Sequence, residues 1–261
     1  MIIDSHLHFG SMGDFKMPAK VLIKSMKKYK IDFGIVSNIE AISYDNQQNL
    51  IPEAYHYSQL EANQKTLDLV KKYPNKLKGQ FWIKPHQEGF KQEVAQFMLK
   101  NKDYFVGLKI HPFHSKLKIT DKKYEKYLDF AQANNFSVAV HTAKDEVSQP
   151  YHLAEVAKKY PEIDFIMVHL GLGTNNKAAI EYVAEIDNLY GDTTWVDFTK
   201  VKEAVRKCGS QKILFGSDNP IDGLDTYKSY TKFLQEGQRH FTQQEYTNIF
   251  SANAKKIFSL K

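Results

Sequence analysis

The side chains in this chain best suited to chemistry are histidines and aspartates, and their placement carries the signal. "DSHLH" sets His6 and His8 two positions apart, straight after an apolar run. On an extended strand alternate side chains share a face, so His6 and His8 point the same way, together with Asp4. Three later apolar runs finish in comparable residues. "SVAVHT" ends in His141, "FIMVHLG" in His169 and "ILFGSD" in Asp218. Neutral imidazole and carboxylate are the usual protein ligands of zinc and related divalent ions. Taken singly, each has a plainer reading. A lone HxH is a weak motif, His141 or His169 could be a core histidine bonded to a carbonyl, and Asp218 in "SDNP" could cap a helix. Their shared position at the ends of strand-like runs points instead to one metal-binding cluster.

The elements that must position them follow from periodicity. Short β-rich runs cover residues 2–6, 33–37, 77–83, 105–110, 137–141, 164–169, 194–198 and 212–216. Between them, helical patterns cover residues 18–29, 59–73, 88–100, 122–134, 151–160, 176–189, 200–207 and 227–236. Such uninterrupted alternation predicts an α/β fold of one domain, residues 1–261, built as a single (β/α)8 TIM barrel. An open doubly wound sheet is the runner-up, weakened by the lack of a GxGxxG or P-loop pattern. In a barrel the chemistry sits at the C-terminal ends of the strands. Long connections over residues 9–17 and 38–57 are therefore expected at the mouth. "TQQEYTNIFSANAKKIF" is expected to form a C-terminal closing helix.

Composition sets outer limits. Hydrophobic residues make up 42% and charged residues 25%, as in an ordinary soluble globule. No apolar run reaches the roughly 20 residues that span a bilayer, and the N-terminal residues lack a signal-peptide pattern. The single cysteine, Cys208, excludes an internal disulfide. These features lead to the expectation of a cytoplasmic protein without a membrane partner. The net charge of +6 raises the question of a nucleic-acid partner. The lysines are scattered in pairs such as Lys27-Lys28, Lys71-Lys72, Lys122-Lys123 and Lys158-Lys159, which read as solvated helix faces.

In order and in combination, "DSHLH", "GLKIHP", "VHT", "VHLG", "FGSD" and "IFSANAKKIF" resemble the amidohydrolase superfamily. The match is to its amidohydrolase-related, or amidohydrolase 2, branch. That branch includes metal-dependent hydrolases and enzymes like aminocarboxymuconate semialdehyde decarboxylase. The resemblance runs from residue 4 to residue 258. It implies that His6, His8, His141 and Asp218 bind a divalent metal, with His169 beside that metal or on a second one. Zinc is the first expectation, with manganese or iron as alternatives, and one ion is favoured over two. TatD-type nucleases carry a metal-bridging glutamate on the fourth strand. Here that strand reads "FVGLKIHP", with Lys109 and His111, which counts against a nuclease. Lys109 has three readings: a carbamate bridging two metals, a cation gripping a substrate carboxylate, or a partner of a barrel carboxylate. The second fits the resemblance to the mononuclear branch.

His111 shares the face of Lys109. "FWIKPH" sets Trp82, Lys84 and His86 on one face, so Lys84 and His86 join Lys109 and His111 as candidate substrate contacts. His114 and "SYDNQ" are weaker candidates. His56, His152 and His240 are expected at the surface, and Asp4 behind the ligands as a hydrogen-bond acceptor.

A metal with an open position lowers the pKa of bound water from 15.7 toward about 7. Asp218 would then accept the proton and pass it on, and His169 would polarise the substrate carbonyl. The expected reaction is hydrolysis of a small, anionic carbonyl compound: a lactone, ester or amide. Decarboxylation by the same parts is the alternative, ahead of a TatD-like nuclease and a barrel that binds without turnover. A homodimer is the default assembly.

Overall fold

Apolar runs bounded by turns become strands, and nine of them join in one sheet. The computed structural model describes residues 1–260. The strands are β1 (Ile3–Met12), β2 (Phe15–Met17), β3 (Phe33–Asn38), β4 (Leu77–Trp82), β5 (Phe105–Ile110), β6 (Ser137–Ala143), β7 (Phe165–Leu172), β8 (Leu189–Asp192) and β9 (Ile213–Leu214). Their order in the sheet is β2-β1-β3-β4-β5-β6-β7-β8-β9. Neighbours from β1 through β9 are parallel, and only β2 pairs antiparallel, on the β1 edge. The sheet curls round. Ser5 N donates to the Phe215 carbonyl at 2.8 Å and His8 N to the Asn219 carbonyl at 3.0 Å, which ties β1 to the segment following β9.

Helices fill the intervals: α1 (Ala19–Lys28), α2 (Gln59–Lys72), α3 (Gln92–Lys100), α4 (Pro112–Ser115), α5 (Glu125–Ala133), α6 (Pro150–Lys159), α7 (Lys177–Glu185), α8 (Phe198–Cys208) and α9 (Thr231–His240). Local sequence starts several of them. Ser58 and Glu61 form a reciprocal capping box on α2, and proline opens α4 and α6. All eight lysines of the pairs named above are exposed on or beside these helices. Among the described residues, no helix is long and apolar enough to cross a membrane.

Because helices cover the sheet, its central strands are mostly buried, and every residue of β6 is buried. Ile3, Ile35, Ala139, Ile166, Tyr190 and Leu214 form an inner cluster. Ala254, Ile257 and Phe258 of the C-terminal helical segment complete that cluster. The opposite ends of the strands are thereby left to carry polar groups.

Four expectations are corrected. The seventh strand is β8 at Leu189–Asp192, not residues 194–198. "TTWVDF" alternates like a strand, whereas the true strand is only four residues long and contains a glycine. The pattern over 176–189 was helical only as far as Glu185. The connection over residues 9–17 is a hairpin, since β1 continues to Met12 and returns as β2. The helical pattern over 227–236 is split between a 3-10 segment, Gly223–Tyr230, and α9.

Candidate metal centre

The middle of β1 and the loop after β9 meet at one point. His6 Nε2 and His8 Nε2 lie 3.0 Å apart. Asp218 Oδ1 is 3.3 Å from the first and 3.1 Å from the second. The three ligand atoms lie within 4.8 Å of one another. Both histidines are buried and Asp218 is partly so.

The groups behind them decide which atom of each ring is free. Thr194 Oγ1 donates to Asp192 Oδ2 at 3.1 Å. Its lone pairs, and those of Asp192 Oδ2, therefore face His6 Nδ1 at 3.1 and 3.2 Å, and Nδ1 carries the proton. His8 Nδ1 faces Ser37, at 3.0 Å from Oγ and 3.4 Å from the carbonyl. His169 Nδ1 donates to the Thr194 carbonyl at 3.2 Å. Each assignment leaves an unprotonated Nε2. Two imidazole lone pairs facing each other beside a carboxylate repel unless a cation lies between them, and Lys109 Nζ, 2.9 Å from His6 Nε2, meets only the first of the two. Outward N–H groups tied to acceptors are also the usual support of metal-binding histidines. The donor set fits a divalent ion.

Charge agrees with this picture. Burial keeps His6 and His8 neutral, with Lys109 adding to the effect at His6. Burial pulls His169 down to about 4. Burial alone would raise the Asp218 carboxyl, but His6, His8 and His169 hold it well below the carboxylate range. Asp218 Oδ2 accepts from Trp195 Nε1 at 2.9 Å. Asp4, fully buried and pushed up to about 7 by that burial, accepts from His6 N and from the hydroxyls of Ser217 and Tyr227.

Further rings continue the wall. His169 lies 5.3 Å from His6 and 4.8 Å from His141, centroid to centroid. His141 stacks on His111 at 3.9 Å, and His111 on Trp82 at 5.5 Å. Neither His141 ring nitrogen has a hydrogen-bond partner among the described residues, so both remain available to a ligand. A cavity of about 380 Å³ opens over His6, His8, His141, His169 and Asp218. Its upper walls are mainly apolar, from Phe15, Met17, Ile39, Ile42, Phe113 and Leu172.

The family model for amidohydrolases matches residues 3–260. The chain belongs to the amidohydrolase family. It is an enzyme of the metal-dependent hydrolase kind. Solved structures share its fold along essentially their whole length. One from Burkholderia multivorans, with bound zinc, is 14% identical with a TM-score of 0.76, covering 100% of both chains. A probable 2-pyrone-4,6-dicarboxylic acid hydrolase from Acinetobacter baumannii, with citric acid bound, is 16% identical with a TM-score of 0.67, covering 99% of both. A 2,6-dihydroxybenzoate decarboxylase complexed with 2,6-dihydroxybenzoate is 14% identical with a TM-score of 0.70, again covering 99% of both. A search of curated proteins finds no match.

The site thus gathers His6, His8, His141, His169 and Asp218 around one cavity, with only His6, His8 and Asp218, among the described residues, in mutual ligand range. Of the expected substrate contacts, Lys109 is buried with Nζ 2.9 Å from His6 Nε2, and His111 lines the cavity. Like Lys109, Lys84 and His86 lie outside the lining. Strand alternation stops with β4 at Trp82, so the shared face does not extend to them. Lys84 Nζ donates to the Tyr57 carbonyl at 2.7 Å and faces His56 Nε2 at 3.0 Å. His86 Nδ1 is 3.3 Å from the Ser115 carbonyl. His114 and Asn46 of "SYDNQ" do line the cavity. His152, expected at the surface, is buried with Nε2 3.1 Å from the Glu146 carbonyl.

Sequence reasoning missed Asp192, Thr194 and Trp195. The misplaced seventh strand hid them; "LYGD" ending in a carboxylate, as other strands end in His or Asp, was the available signal. Gly216 was also unread. A Cβ there would stand 2.6 Å from Thr194 Oγ1 and 2.9 Å from Asp192 Oδ2, so only glycine lets this support close on His6.

Proposed function

We propose that this amidohydrolase is a mononuclear, metal-dependent hydrolase that cleaves a lactone, ester or amide bond in a small anionic substrate. The convergence of His6 Nε2, His8 Nε2 and Asp218 Oδ1 at the floor of the cavity carries the reading. His141 completes the ligand set, and the preferred ion is zinc. When bound there, such an ion supplies a Lewis acid and makes water acidic enough to attack at neutral pH. The chain's own groups do the rest. Asp218 is held ionised and accepts a proton through a carboxylate oxygen. His169 is neutral with its Nδ1 proton committed to Thr194, so its Nε2 accepts a proton or binds a cation. Polarising a carbonyl would need that nitrogen protonated, which its burial opposes. Lys109, pulled down to about 8 by burial, still offers N–H donors to a substrate anion.

The proposal extends to the frame. We read the curled sheet as a closed (β/α)8 barrel whose seam is the Ser5–Phe215 and His8–Asn219 contacts, and residues 243–257 as its closing helix. The packing of Ala254, Ile257 and Phe258 on the inner cluster supports that.

Decarboxylation is the second reading, favoured by the apolar upper walls and by the fold shared with a 2,6-dihydroxybenzoate decarboxylase. A cavity of this size suits a small molecule, and Lys109 in place of a bridging glutamate counts against a nuclease. The deciding experiment screens zinc-loaded protein against lactones, esters, amides and aromatic acids, with Asp218→Asn as control. Hydrolysis products that vanish in the control are expected. Carbon dioxide without hydrolysis would move the assignment to the second reading, and a protein that retains no divalent ion would end both.

A further inference from the structure

One turn, residues 192–196, reaches three of the candidate ligands. Asp192 and Thr194 hold His6 and His169, as described above. Trp195 holds Asp218: its indole Nε1 donates to Oδ2 at 2.9 Å. The geometry required for this contact is costly. Trp195 has a φ of 57° and Asp218 a φ of 66°, both in the left-handed region that bulky residues avoid. Such backbone persists only where surroundings over-determine it. At Trp195 they do. Its N–H donates to Tyr230 OH at 3.0 Å, and that hydroxyl donates to the Ser217 carbonyl at 3.0 Å, directly before Asp218. The indole is 40% exposed, so burial of the ring does not explain its conformation.

We infer that Trp195 is a positioning residue for the metal centre: its N–H occupies Asp218 Oδ2 and leaves Oδ1 to face His6 and His8. The inference rests on the metal-centre reading above. The indole fixes the carboxylate with one oxygen, Oδ1, turned to the two histidines, where it would help to hold an ion. Trp195 is not itself a lining residue, and its indole meets Asp218 at Oδ2 rather than at the ligand atom Oδ1, so it acts through Asp218.

The test compares wild-type protein with Trp195→Phe, which keeps a ring and removes the donor. Zinc affinity is measured by competition with a chromophoric chelator, and the visible spectrum of the cobalt-loaded protein reports the coordination sphere. Zinc should bind about 10–100-fold more weakly in the variant, as for other residues that support a metal ligand, and the cobalt bands should shift. Equal zinc affinity within twofold together with superimposable cobalt spectra would overturn the inference while leaving the metal centre standing. Wild-type protein that binds neither metal would remove the metal centre and the inference with it. Should Trp195→Phe fail to fold, Trp82→Phe leaves Trp195 as the sole indole. Zinc should then change its emission saturably at one equivalent, and unchanged emission while zinc binds would equally refute the role.

Discussion

Lys109 Nζ lies 2.9 Å from His6 Nε2, the same atom that faces His8 and Asp218. A fully buried amine thus stands against the candidate metal centre, with Asp218 and Asp192 the nearest opposing charges. Among the described residues, its single hydrogen-bond partner is the His6 ring. A substrate anion beside the centre would give it a second.

Replacing Lys109 by methionine keeps the volume and removes the charge. The expected result is a loss of about 100-fold or more in kcat/KM toward an anionic substrate, because one buried charge loses its partner. Steady-state kinetics with an anionic and a neutral ester of equal size checks this. An equal loss on both would remove Lys109 from substrate recognition.

His6→Ala and Asp218→Asn should each leave less than about 1% of activity, since loss of a ligand outweighs loss of the groups supporting it. Elemental analysis should fall from about one divalent ion per chain toward none, while circular dichroism stays native. Asp192→Asn should be milder, about 10–100-fold in metal affinity, because the ring proton of His6 loses its acceptor.

The hairpin that carries Phe15 and Met17 closes one wall of the cavity. Phe15→Ala should raise KM by about tenfold, the equivalent of about 1.4 kcal/mol of apolar contact, with kcat nearly unchanged. A fall in kcat at constant KM would contradict a wall that binds ground and transition states alike.

Lys84 is buried, and that burial pulls its ammonium down to about 8. An unfolded lysine titrates near 10.4, so between about pH 8 and 10 the unfolded chain binds more protons than the folded one. Stability therefore rises with pH across that window, and below it the charged amine is a penalty on folding. Urea midpoints at pH 7.5 and 9.5 should show the rise, and Lys84→Met should lessen it, leaving the part that Lys109, also pulled down to about 8, contributes.

At the other end of the strands, Ile257 packs on the inner cluster of the sheet. Ile257→Ala should cost about 2–5 kcal/mol of stability, as for other large-to-small core changes. Thermal or denaturant unfolding measures it. A loss below about 1 kcal/mol would mean that the C-terminal segment is a loose cover rather than part of the core.

The chain's own order of residues determined much of this protein. Strand-length apolar runs alternating with helical ones announced a parallel sheet covered by helices, because a strand buried on both faces has to be apolar throughout. His6 and His8 declared themselves by period, and His141, His169 and Asp218 by standing where apolar runs stop. What local pattern could not decide was contact across the sheet. Asp192 and Thr194 reach His6 from almost two hundred residues away, and Trp195 reaches Asp218 through two strained turns. Lys84 shows the converse. Its spacing from Trp82 put it on the site face, yet β4 ends first and the amine turns to the Tyr57 carbonyl. Side-chain direction follows from period only while the strand lasts. Beyond its end the fold alone decides which polar groups meet, since each buried one must find its partner wherever the packed chain brings it.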